Sequence, residues 1–222
     1  MVTAMNRPDF WHQRWRRGEI GFHRADVHPL LQRFWPDVAG GSLAPVLVPL
    51  AGKSLDMRWL AARGHAVTGV EIDPIAVQAF FDEAGLRAGR DGDGALIRWQ
   101  AGPFTLWQGD FFDFRAASGF ELFYDRAALV ALPPDFRPRY LEHLAAQFAP
   151  GGVGLLITLE YRQQDMNGPP YSVPQAELAA CDALAFEPLS RVDALDSHPR
   201  FAERGLRALR ECAYRVSRPA ER

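Results

Sequence analysis

The chain has 222 residues, with 25 basic and 27 acidic side chains and a formal charge of -2, so it has no electrostatic case for a nucleic-acid surface or an anionic membrane. Apolar residues at 48% and charged residues at 23% match a folded globule and exclude a disordered or fibrous chain. Two cysteines, Cys181 and Cys212, are too few for a disulfide framework or an all-cysteine zinc site, which makes a reducing cytoplasm the expected setting.

No apolar run reaches the roughly eighteen residues of a membrane span, and Met1 to Asp9 lack the apolar stretch of a signal peptide. A short amphipathic helix is expected over Asp9 to Arg17, with Asp9 as N-cap and Phe10, Trp11 and Trp15 on one face. A second helix is expected through Leu30 to Trp35, ended by Pro36.

Val46 to Leu50 is an apolar run without alternation, the pattern of a strand buried on both faces of a parallel sheet. Ala51-Gly52-Lys53-Ser54 turns it into a helix over Leu55 to Arg63, closed by Gly64. Ala66 to Val70 forms the next strand and ends at Glu71; Asp73 and Pro74 cap and open a helix that carries Ala76, Ala79 and Phe80 inward. Leu86 to Gly94 reads as a surface loop.

Phe104 to Gln108 is a third strand leading to Gly109-Asp110-Phe111, and Phe120 to Tyr124 a fourth, ending at Asp125-Arg126. Leu141, Leu144, Ala145 and Phe148 share a helix face, with Pro150-Gly151-Gly152 as the stop. Val153 to Leu159 is a fifth buried strand. A Pro-rich loop (Gly168 to Pro174), a helix through Ala176 to Leu184 and two strands near Leu189–Asp193 and Leu206–Val216, joined without a helix, complete the chain. The alternation predicts an α/β fold: one domain with a mostly parallel seven-stranded sheet, helices on both faces and an antiparallel C-terminal pair. Residues 1–45 form a helical segment ahead of a core over 46–222.

In such a sheet, ligands settle beyond the carboxyl ends of the strands. Gly52-Lys53-Ser54 holds the only lysine of the chain but lacks the upstream glycine of a phosphate loop, because Leu47 stands there. The dinucleotide fingerprint fails as well, since Gly52 is alone in its turn. Glu71 lies nineteen positions after Gly52, where a carboxylate accepts the hydrogen bonds of a ribose diol. A nucleoside site with a relaxed glycine turn suggests S-adenosylmethionine, not NAD. Asp110 and Phe111 suit an adenine amino group and ring; as plain structure they are a cap and a core residue.

These residues recur in a known arrangement. Phe10-Trp11-His12-Gln13-Arg14-Trp15, Ile20-Gly21-Phe22-His23, Val48 to Ser54, Gly69-Val70-Glu71, Gly109 to Phe112, Tyr124 to Leu129 and Gly168 to Val173-Pro174 resemble, in order and spacing, the bacterial branch of the thiopurine S-methyltransferase family. Ala51 replaces the cysteine usual in its loop. The resemblance implies a class I (Rossmann-like) transferase that moves the methyl of S-adenosylmethionine to a small thiol or thione, with selenium or tellurium compounds as further candidates. It implies cofactor contacts at Trp15, Leu50, Glu71 and Arg126, with Asp110 and Phe111 near the adenine and Arg200 near the acceptor; His23, beside Phe22, is either a lining residue of the acceptor pocket or a surface histidine. Arg126 takes an electrostatic part, because a guanidinium is a poor base, and no metal or dedicated base is expected. Lys53 either supports the loop or is solvated. A monomer without nucleic-acid or membrane partners is expected, with the aromatic N-terminal segment as a lid. A thiol or halide methyltransferase, an NAD-linked oxidoreductase and a non-catalytic nucleoside binder are the alternatives.

Overall fold

A computed structural model describes residues 8–219. In chain order the strands are β1 (Val46–Pro49), β2 (Val67–Glu71), β3 (Gly89–Asp91), β4 (Ile97–Ala101), β5 (Phe104–Gln108), β6 (Phe120–Arg126), β7 (Phe148–Glu160), β8 (Ala185–Asp193) and β9 (Arg210–Ser217). The helices are α1 (Pro8–Arg17), α2 (Pro29–Ala39), α3 (Leu55–Ala61), α4 (Pro74–Glu83), α5 (Arg137–Ala146), α6 (Gln175–Ala179) and α7 (Pro199–Glu203). The strands form one sheet in the order β3-β4-β5-β2-β1-β6-β7-β9-β8.

Strand β1 is buried at all four positions and pairs in parallel with β2 and β6. Successive apolar side chains of the central strands point to opposite faces and so feed two cores. Val46 and Val48 join Trp35, Met57 and Phe80 on one side; Leu47 joins Phe123, Tyr140 and Leu144 on the other. After β1 the chain builds outward through β2 to β5 and then returns to the far side of β1 with β6. That reversal opens a crevice beyond the carboxyl ends of β1 and β6, where open α/β sheets hold ligands. The last strands, β9 and β8, are antiparallel.

The sheet has nine strands, two more than expected. The segment read as a surface loop contains β3, which is exposed throughout, and β4 follows it; both are antiparallel additions to the edge at β5. Burial, not chain propensity, recruits β4: Trp99 stacks on Phe81 and donates its indole N–H to Gln108.

Other boundaries differ for identifiable reasons. Pro36 does not end α2, which runs on to Ala39 and is capped by left-handed Gly40; burial of Trp35, Val38 and Ala39 offsets the hydrogen bond that proline removes. Asp9 lies inside the first turn of α1, not at its cap. Helix α3 stops at Ala61 and α6 at Ala179, both short of expectation. Helix α5 ends at Ala146, and Phe148 already pairs with Phe120 in the sheet; the register then slips past Pro150-Gly151-Gly152 before Val153 meets Leu122. The connection between β8 and β9 is not helix-free, since it contains α7. Among the described residues, no helix is long and apolar enough to cross a membrane.

Candidate active site

The turn after β1 is tight. Leu50 has φ 46° and Gly52 φ 55°, a left-handed conformation that costs a non-glycine residue free energy and is held only by its surroundings. Ala51 N–H donates to Val70 C=O at 2.9 Å, which pins the turn to β2. A Cβ built on Gly52 would lie 3.4 Å from the Trp15 ring, so the indole of α1 covers this turn.

Glu71 ends β2 and is 5% exposed. Its Oε2 accepts from Gly52 N–H at 2.8 Å and its Oε1 from Asp73 N–H at 2.9 Å. Burial pushes its carboxyl up to about 7, against the pull of those backbone donors. Each carboxylate oxygen has a second lone pair left to use. Asp73 Oδ1 caps α4 through Ile75 N–H at 2.8 Å, while its Oδ2 meets His12 Nδ1 at 2.6 Å. That last contact ties α1 to the rim.

At the end of β6, neighbouring side chains are divided between scaffold and cavity. Asp125 is buried; it accepts from Tyr140 Oη–H at 2.7 Å and from the N–H groups of Ala128 and Leu129 at 3.2 and 3.3 Å. Burial pushes its carboxyl up to about 6. These bonds brace the backbone around Ala127, which has φ 70°. Arg126 faces the crevice and donates from Nη1 to Phe22 C=O at 2.7 Å.

The crevice is a cavity of about 230 Å³ beneath the segment that follows α1. Trp11, Trp15 and Phe22 form its aromatic cover, Phe22 standing edge-on to both indoles at 5.8 and 5.6 Å. Arg200, on α7, donates to Gly21 C=O, so two arginines clasp consecutive carbonyls of the covering segment. Of the expected site residues, Trp15, Leu50, Glu71, Arg126, His23, Arg200 and Lys53 all line the cavity. Burial and the Lys53 charge hold His23 below the ordinary histidine value, and Lys53 pairs with Glu83 at 2.5 Å.

Asp110 and Phe111 are not among the lining residues. Asp110 Oδ1 caps the following turn through Phe112 N–H at 2.9 Å. Phe111 is buried against Tyr140 and His143. Their hydrogen bond and packing are those of a cap and a core ring.

Several lining residues were not anticipated. Phe22 sits in a stretch already singled out, so its neighbours carried the signal. Thr158, Glu211, Arg24 and Arg204 had none. The Thr158 hydroxyl is buried with no partner among the described residues. Glu211 accepts from His28 Nε2 at 3.0 Å, because His28 Nδ1 is engaged by Leu30 N–H. Burial raises the Glu211 carboxyl, but the His28 bond and charge outweigh it and hold the group low.

A family model described as thiopurine S-methyltransferase matches residues 6–219. A thiopurine S-methyltransferase of Xanthomonas campestris pv. campestris is 48% identical over 214 residues, covering 95% of this chain and 98% of that one. One from Pseudomonas entomophila is 44% identical over 214 residues, with 95% and 99% covered. Among solved structures, the chain resembles the Burkholderia thailandensis 1,6-didemethyltoxoflavin-N1-methyltransferase with bound S-adenosylhomocysteine (TM-score 0.61, 17% identity, 96% and 87% covered). It also resembles the N-methyltransferase NodS of Bradyrhizobium japonicum in complex with S-adenosylhomocysteine (TM-score 0.61, 12% identity, 94% and 98% covered). The structural likenesses establish the fold.

Proposed function

The chain belongs to the thiopurine S-methyltransferase family, and from that premise we propose that it moves a methyl group from S-adenosylmethionine to the sulfur of a small thiol or thione, thiopurines included. The observation that carries this reading is the buried Glu71 carboxylate beside the Gly52 turn. It offers two free lone pairs to a vicinal diol, while the single-glycine turn gives no room for a pyrophosphate. The donor set therefore fits a nucleoside cofactor.

When bound, S-adenosylmethionine supplies an electrophilic methyl on a sulfonium. Glu71 accepts from the ribose hydroxyls. The turn at Leu50 presents backbone groups to the amino-acid end, and the Trp15 indole offers a π face to a cation. Asp110 Oδ2, without a partner among the described residues, would accept from an adenine amino group, with Phe111 as the packed ring behind it. Arg126 lowers the pKa of the acceptor thiol by favouring its anion. With the donor in place, the acceptor's thiol proton would go to solvent and its sulfur would take the methyl, the donor sulfur keeping the electron pair of the S–C bond it loses. Such a displacement needs alignment and exclusion of water more than a base. His23 and Arg200 border the acceptor, and of the expected 1–45 segment α1 and the stretch on to Phe22 serve as the closing part of a single catalytic domain, while α2 packs in the core and Met1 to Arg7 lie outside the described residues.

The test has two arms. Calorimetry with S-adenosylhomocysteine measures the cofactor site, and transfer of a radiolabelled methyl to 6-mercaptopurine, small thiols, halides, selenite and tellurite measures the reaction. Binding together with transfer to thiols is expected. Binding without transfer to any sulfur acceptor would refute the reading.

A further inference from the structure

Arg126 and Glu211 stand on one wall of the cavity and do not pair. Arg126 ends β6 opposite Ile157, and Glu211 lies near the start of β9 opposite Leu159, with β7 between them. Tyr124, two positions before Arg126, and Ala213, two positions after Glu211, share the core that holds α2. The period of a strand therefore sends both charged side chains to that face. Their strands are two spacings apart, about 10 Å. Among the described residues no ion pair joins the two charges, and Arg126 Nη1 donates to Phe22 C=O instead.

Glu211 is held from behind. His28 is fully buried; its backbone N–H donates to Asp56 Oδ1 at 2.8 Å, and its Nδ1 accepts from Leu30 N–H at 3.2 Å. The ring proton therefore sits on Nε2, which donates to Glu211 Oε1 at 3.0 Å. Glu211 Oε2 has no partner among the described residues, and the side chain, 15% exposed, lines the cavity. The titratable and charged groups facing it are His28 ahead of α2, Arg126 and Tyr124 on β6, and His198 ahead of α7. Tyr124 donates its hydroxyl to Asp56, and the His198 ring bonds to Ala194 C=O. A largely buried carboxylate with one oxygen left over calls for a donor on the ligand.

A guanidinium and a carboxylate held apart on one wall match an acceptor that is neutral but polarised, the H–N–C=S unit of a heteroaromatic thione. We propose that Glu211, positioned by His28, is a catalytic residue that accepts from the ring N–H of a thione acceptor and takes its proton as the sulfur is methylated. This deepens the methyl-transfer reading and rests on it. With the donor in place, the thione sulfur, facing Arg126, would form the new S–C bond. The C=S bond becomes single as the nitrogen lone pair makes the C=N bond. The N–H electron pair then stays on nitrogen, and the proton passes to Glu211 Oε2 and on to solvent. The donor sulfur keeps the pair of the S–C bond it loses.

The first test is calorimetry on the chain saturated with S-adenosylhomocysteine, comparing 2-thiopyridone with 1-methylpyridine-2-thione, which lacks the N–H. 2-Thiopyridone is expected to bind about tenfold or more tightly, the scale of a hydrogen bond to a charged group. Glu211→Gln keeps the side-chain volume and an oxygen for His28, and should bring that ratio close to one. The second test follows methyl transfer to 2-thiopyridone and to thiophenol, which reacts as a thiolate and carries no N–H. In Glu211→Gln, kcat/KM for 2-thiopyridone should fall about 100-fold, the scale of losing a general base. Transfer to thiophenol should rise, because loss of a neighbouring negative charge favours a thiolate. Raising the pH should return part of the 2-thiopyridone rate, since its anion then forms in solution. Thermal unfolding checks that the variant is folded, and the comparison on the unmodified chain decides without it. Equal binding of the two thiones by the unmodified chain, a preference that survives Glu211→Gln, or an equal fall for both acceptors overturns the inference while thiol methylation stands. Absence of transfer to every sulfur acceptor, with S-adenosylhomocysteine still bound, overturns the function and the inference together.

Discussion

The two sides of the cavity are built by opposite strategies. Beside β1 and β2 the polar groups are short and their geometry is fixed: a left-handed turn, backbone N–H donors and one buried carboxylate. Beside β6, β7 and α7 they are long arginines that hold backbone carbonyls of a distant segment. The first side is pre-organised and pays little entropy on binding. The second must surrender bonds it already makes, so it suits acceptors of varied shape. An invariant nucleoside and a variable sulfur acceptor call for this division.

The sharpest way to break the comparison is at Glu71. Glu71→Ala removes the acceptor for two buried N–H groups as well as the ribose partner. With charge-assisted bonds worth about 1.5–3 kcal/mol each, S-adenosylhomocysteine affinity measured by calorimetry should fall by about 100-fold or more. Unchanged affinity would remove the ribose assignment and with it the idea of a fixed side.

Arg126→Ala probes the adaptable side. A loss of about 100-fold in kcat/KM is expected near neutral pH, the scale of removing one electrostatic stabiliser, with cofactor affinity moving far less. Because the guanidinium favours a thiolate, raising the pH should recover part of the loss for acceptors whose thiol ionises above neutrality. A defect independent of pH would instead assign Arg126 to the fixed side, as an anchor for the cofactor.

Protonation sharpens the picture at a smaller scale. The Glu71 carboxyl lies at about 7, raised from an ordinary 4.5 by burial. A raised carboxyl contributes stability that is complete below its unfolded value and is lost as pH climbs through the folded one. Thermal unfolding of the ligand-free chain should therefore show stability falling from about pH 4.5 to above 7, with Asp125, at about 6, contributing in the same sense. Diol binding needs the ionised form, so affinity should be greatest above about pH 7 and decline below it, by up to about tenfold per unit. Glu71→Gln should flatten the affinity profile; if it does not, the titrating group is another one.

How much of this was legible in the sequence divides along the same line. The fixed side is local. An apolar run, a lone glycine, and an acidic residue nineteen positions on are enough to place Gly52 and Glu71 at neighbouring strand ends, and Asp73-Pro74 caps α4 as its residue types require. The adaptable side is assembled from contacts 104 and 179 positions apart, Arg126 with Phe22 and Arg200 with Gly21. Strand position, not residue type, brings Thr158 and Glu211 to the cavity, so neither could be picked from its neighbours. Asp110 and Phe111 occupy a rim position by sequence, and in the structure Asp110 Oδ1 caps a backbone turn while the Phe111 ring packs in the core. Edge strand β4 was missed because its pairing depends on Trp99 finding Phe81 and Gln108.

The smallest expected effect lies where the two sides meet, at the His12–Asp73 contact of 2.6 Å. This bond joins the covering segment to the fixed side, while Arg126 and Arg200 join it to the adaptable one. His12→Ala deletes one part-buried side-chain bond and leaves the α4 cap intact, since Asp73 Oδ1 still accepts from Ile75. A hydrogen bond of about 0.5–1.5 kcal/mol corresponds to an opening equilibrium shifted by about 3- to 10-fold. Tryptic cleavage after Arg14, Arg16 and Arg17 should accelerate by that factor, with S-adenosylhomocysteine affinity falling no more than the same amount. Bound S-adenosylhomocysteine should suppress the cleavage in both proteins, because Trp15 of the same helix then has a ligand to cover. If cleavage is unchanged in His12→Ala yet accelerates in Arg126→Ala, the segment is held from the adaptable side alone, and its closure follows the acceptor and not the cofactor.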